Sequence, residues 1–109
     1  MEVDQLTVAE WMDQWYETRK NEWKISSQIQ REYIIRLHIK PLLGKYRLQK
    51  FDKATYKRDF INKLSKSHEP KTVQLFHGIF KIAVNAAVDN EIIPRTRFSN
   101  ITIPDIKKA

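Results

Sequence analysis

From Pro70 to Asn90 the chain reads PKTVQLFHGIFKIAVNAAVDN, an uninterrupted stretch with two apolar stripes. Val73, Phe76, Phe80, Val84 and Ala87 recur at helical spacing, and Leu75, Ile79, Ile82 and Ala86 form a second line beside them. A helix apolar around so much of its circumference must be surrounded by others, so the pattern predicts a helical bundle with this segment at its centre. Pro70 suits the first helical position, where its missing N–H is no loss. One polar strip, Gln74, His77, Gly78, Lys81 and Asn85, runs along the same segment and must face something other than core. Gly44 and Gly78 are the only glycines, too few for the tight turns of an all-β chain.

Three more helices precede it. Thr7 and Glu10 have capping-box spacing, and Val8, Trp11, Met12, Trp15 and Tyr16 then form an aromatic stripe opposite an acidic face with Asp13, Gln14 and Glu17. In the second helix, Ser27 and Gln30 have the same spacing, which predicts a start at Ser27. Ile29, Tyr33, Ile34 and Leu37 read as its core arc, and Ser27, Arg31 and His38 as a polar arc. Pro41 is expected to end this helix, and Gly44 to supply a permissive backbone for the corner. Asp52 then caps a third helix, with Phe51 and Tyr56 spaced as a hydrophobic staple and Phe60, Ile61 and Leu64 on its apolar side. After Asn90 the period is lost.

Charge narrows the function. The chain carries +7 overall, but unevenly: residues 1–23 hold six acids against two bases, and residues 24–109 hold eighteen bases against seven acids. A local excess of +11 is the footprint of a polyanionic partner. Catalytic patterns are missing. There is no cysteine, His38, His68 and His77 are scattered, and neither glycine belongs to a phosphate-cradling loop. No metal or other cofactor is expected, nor a membrane span, and the cysteine-free composition suits a cytoplasmic setting.

Binding residues are sought at two helix starts. Lys24, Ser26, Ser27, Gln28, Gln30 and Arg31 cluster at one, and Lys71, Thr72 and Gln74 at the other, with His77 and Lys81 following on the polar strip. Helix N-termini favour phosphate oxygens, and amide or guanidinium groups just inside can read base edges. Each residue alone has an ordinary reading, as a serine cap or a solvated side chain. Their concurrence with the charge points to nucleic acid. Lys45, Arg47 and Lys50 on the corner are further phosphate candidates, beside the equal reading of a solvated loop.

The run IIRLHIKPLLGKYRLQKF (Ile34 to Phe51), the capped helix after it and PKTVQLFHGIFKIAVNAAVDNEII resemble the core-binding domain of tyrosine recombinases, the phage and conjugative-transposon integrases. Arg36, His38, Ile39, Pro41, Leu43, Gly44 and Leu48 carry the most specific part. Glu69-Pro70-Lys71-Thr72 stands where the family often has Ser-Pro-Ser-Thr, and Thr96-Arg97 where it commonly has Asn-Pro. The resemblance implies an all-α, SAM-like four-helix DNA-binding domain over residues 1–93, with a basic linker over 94–109 leading toward a catalytic domain not in this chain. It implies that helices two and four face the major groove of double-stranded DNA. The implied partners are that DNA, the catalytic domain of the same parent and neighbouring recombinase protomers; the implied role is gripping a core site during integration and excision. Two alternatives stand beside it: a helical protein-interaction module and a helix-turn-helix regulator, the latter disfavoured by the long segment from Lys40 to Asp52.

Overall fold

The first helix, α1 (Val8–Arg19), starts where its capping box places it. The Glu10 backbone N–H donates to Thr7 Oγ1 at 3.2 Å, and the Thr7 N–H donates back to Glu10 Oε1 at 3.0 Å. The computed structural model describes residues 6–93; the expected linker, residues 94–109, lies outside them. Among the described residues the architecture is helical, with no strand beyond one isolated bridge. Backbone packing divides the chain into two compact units that part between Lys50 and Phe51.

In the first unit α1 is followed by a 3₁₀ turn, Lys20–Glu22, and then by α2, residues 25–43. The second helix is α-helical over Ile25–Ile34, widens to a π turn over Ile35–Ile39 and closes again over Lys40–Leu43. Two expectations are corrected here. The helix starts at Ile25 with Lys24 as its cap residue and no side-chain cap bond, so Ser27 is not the cap. Nor does Pro41 end it. The Lys40 N–H donates to the Ile35 carbonyl, five residues back, and this wider turn relieves the clash a proline ring makes inside a regular helix.

The helix stops at Gly44, whose φ is −59°, so conformational freedom is not what the glycine supplies. It supplies space. A Cβ there would lie 2.5 Å from the Lys40 carbonyl oxygen and 3.1 Å from Ala9 Cβ of α1. The chain then turns back along the start of α1: the Val8 N–H donates to the Tyr46 carbonyl at 2.8 Å, the Leu48 N–H to that of Leu6 at 2.9 Å, and Thr7 pairs with Arg47. Leu6, Val8, Trp11, Met12, Trp15, Ile34, Ile35, Ile39, Leu43 and Leu48 are buried.

The core arc expected for α2 is also corrected. Ile29, Tyr33 and Leu37 are exposed, and of that set only Ile34 is buried, joined by Ile35 and Ile39. Trp23 is the physical reason. It packs against Trp15 (5.0 Å between ring centroids) and Tyr16 (5.7 Å), and it carries the Arg31 guanidinium over its ring at 4.3 Å. That stack turns the Arg31 side of the helix inward, and the π turn brings Ile35 and Ile39 onto the buried side.

The second unit holds α3, residues 53–65, and α4 (Pro70–Asp89). Asp52 caps α3 as expected, accepting the Thr55 N–H at 2.8 Å. That bond holds the Asp52 carboxyl below its ordinary range. Phe51 meets Tyr56 edge to face at 6.0 Å, the staple the spacing predicts. A second π turn, Lys57–Ile61, lets Tyr56, Phe60, Ile61 and Leu64 all reach the interior. Tyr56 stacks on Phe60 and on Phe80 of α4 at 5.2 and 5.0 Å. In α4 the first apolar stripe is buried throughout, whereas Leu75 and Ile82 of the second are exposed.

Candidate nucleic-acid interface

The residues at the start of α2 divide into two groups, sorted by the Trp23 cluster. Ser27, Gln28 and Arg31 are half-buried on the inward side. The Gln28 Nε2 donates to the Trp23 carbonyl at 3.2 Å, and the Gln28 carbonyl accepts from the Tyr16 hydroxyl at 3.3 Å. Gln28 and Arg31 thus hold α2 to the end of α1. Lys24, Ser26 and Gln30 are exposed, as are the apolar Ile25, Ile29 and Tyr33.

Farther along α2 the basic groups are partly engaged. Lys40 Nζ lies 2.7 Å from Asp13 Oδ1 of α1, and Arg36 Nε lies 2.9 Å from Glu32 Oε1. With Tyr16 and Ile35 these four residues line a small cleft between α1 and α2. The two ion pairs offset much of the charge around it, and through Asp13 the acidic face of α1 neutralises part of α2. Lys45, Arg47 and Lys50 stay exposed on the segment that returns along α1, with Lys45 over the Tyr46 ring at 5.3 Å.

In the second unit Lys71, Gln74, Lys81 and Asn85 are exposed along α4, and Thr72 and His77 are half-buried. His77 has an inward duty: its Nδ1 lies 2.6 Å from the hydroxyl of the fully buried Tyr56. Burial first, then the charge of Lys81, lower the His77 pKa, while burial raises that of Tyr56 well above the usual phenol value. Both effects favour a neutral ring and a protonated phenol. The hydroxyl therefore donates to Nδ1, and the remaining ring proton sits on Nε2.

A family model described as the phage integrase N-terminal SAM-like domain matches residues 7–65. The chain belongs to that family. The match runs from the capping threonine of α1 through the last turn of α3 and takes in Trp23, the π turn of α2, Pro41 and Gly44. These are the features that set which side of α2 is outward. The fold of this SAM-like domain is all-α, as its sequence implied, and α4 follows the matched residues. No curated protein and no solved structure matches the chain.

Sequence reasoning placed Lys24, Ser26, Ser27, Gln28, Gln30 and Arg31 at one helix start; of these Lys24, Ser26 and Gln30 are exposed, and Ser27, Gln28 and Arg31 are half-buried. It missed Ile25, Ile29 and Tyr33 as their neighbours, because apolar residues at helical spacing read as core. A signal was present. The helix has two apolar sets, Ile25-Ile29-Tyr33-Leu37 and Ile34-Ile35-Ile39, and a helix on the rim of a small domain can bury only one.

Proposed function

We propose that this integrase-family chain is a DNA-gripping domain, holding the duplex of a recombination site while the strand-breaking groups come from another part of the parent enzyme. What supports the reading most is the set of exposed amine, hydroxyl and amide groups in each unit: Lys24, Ser26 and Gln30 at the start of α2, and Lys71, Gln74 and Lys81 on α4. Lysines neutralise phosphates at a distance insensitive to sequence, while Ser and Gln hydrogen-bond to phosphate or base edges. Affinity is then dominated by released counterions, and base reading is modest.

The test is duplex binding, followed by fluorescence anisotropy across a salt series. Neutralisation of about four phosphates gives a log–log slope near −3.6. Lys24→Ala and Lys81→Ala each weaken binding and each flatten the slope by roughly one unit. Both substitutions are at exposed positions, so the fold is left intact. Affinity and slope unchanged in both variants would overturn the proposed surface.

A further inference from the structure

Four large apolar side chains stand in solvent along the outer side of α2: Ile25 is 69% exposed, Ile29 64%, Tyr33 50% and Leu37 43%. They fall four residues apart, over about 18 Å of helix. A regular helix would carry such a line gradually around its axis, and the wider turn at Ile35–Ile39 keeps Leu37 on the outer side with the rest. Ser26 and Gln30 lie among them.

The surroundings select the occupant. Residues 24–50 carry seven bases and one acid. That acid, Glu32, is tied to Arg36, and Lys40 is tied to Asp13 of α1, so the other five bases, Lys24, Arg31, Lys45, Arg47 and Lys50, keep the segment cationic. A second copy of the same face would bring like charges together, whereas a polyanion is attracted to it. An aliphatic side chain pressed on most base edges strips water from donors and acceptors without replacing it. The one apolar group a base offers in the major groove is the thymine C5-methyl. Resting on the DNA-binding reading above, we infer that Ile25, Ile29 and Tyr33 pack on pyrimidine C5-methyl groups, so that α2 selects A·T-rich major groove, with Gln30 placed to bond adenine beside them.

The decisive comparison removes the methyl and nothing else. The 109-residue chain is titrated against a short alternating A·T duplex and against the same duplex with uracil in place of thymine. The thymine duplex is expected to bind tighter by about fourfold for each methyl covered. Ile29→Ala, at an exposed position, is expected to bring the ratio toward one while leaving the salt slope unchanged. Equal affinity of the wild-type chain for both duplexes overturns the inference and leaves the DNA-binding reading standing. A ratio as large in Ile29→Ala as in wild type also overturns it, by assigning the preference to duplex stiffness. No binding to either duplex at low salt removes the DNA-binding reading itself. A dimer in sedimentation that Ile29→Glu returns to monomer, with a thymine-to-uracil ratio of one, gives the stripe to a second copy and overturns the inference.

Discussion

Tyr56 and His77 show how one residue can serve two levels of the structure. On sequence grounds Tyr56 is a staple and His77 part of a polar strip, and both readings describe real features. Their hydroxyl–imidazole bond, at 2.6 Å, joins α3 to α4 in the second unit. The unfolded chain takes up a proton on His77 near its ordinary 6.5, and the folded protein resists it because burial and Lys81 disfavour the cation. The stability this provides is present above that value and is lost as pH falls below it. At the other end, the unfolded phenol ionises near its ordinary 10.0 while the buried one holds its proton, so stability falls again above that pH. Denaturant unfolding across pH should give a plateau between these limits. Tyr56→Phe should lower the plateau by about 1 kcal/mol and remove the alkaline decline.

Whole helices here are set by how they end and widen as much as by their apolar spacing. The close of α4 is a Schellman turn: the Ile92 N–H donates to the Ala87 carbonyl at 2.9 Å and the Glu91 N–H to that of Val88 at 3.0 Å. Glu91 sits there at a φ of 61°, the left-handed region that favours glycine. Replacing Glu91 by Gly should therefore raise stability by about 1 kcal/mol, read as a higher denaturant midpoint at unchanged m-value. In α2 and α3 the π turns have a comparable influence. Each shifts the register of one helix partway along, so residues before and after it obey the helical period separately. Spacing rules that assume one period across residues 25–43 therefore pick the wrong outer side.

Across the molecule the controlling quantity is the uneven charge. The acidic face of α1 is not simply turned away from the bases of α2, because Asp13 of α1 reaches Lys40 of α2. Both partners of that pair are partly exposed, so its contribution to stability is at most about 1 kcal/mol. Its effect on association is larger in reach. Asp13→Asn releases the Lys40 charge and should tighten duplex binding at low salt. The gain should vanish near 1 M salt, where the screening length is about 3 Å. A gain that persists at high salt would show a packing change instead of an electrostatic one.

Much of the fold was legible in local signals. Thr7 with Glu10, Asp52 with Phe51 and Tyr56, and Pro70 at the head of α4 act through bonds and contacts within a few residues, and each start lies where its signal placed it. The deeply apolar stripe of α4 was equally plain: Val73, Phe76, Phe80, Val84 and Ala87 are all buried, although of the stripe beside it only Ile79 and Ala86 are. What the amino-acid order could not decide was which of two apolar sets on α2 goes inside. That choice depends on Trp23, brought against Trp15 and Tyr16 by a 3₁₀ turn, and on a π turn that lets Pro41 stay within the helix. Competition between two comparable faces is settled by packing against distant residues, and no local period records its outcome.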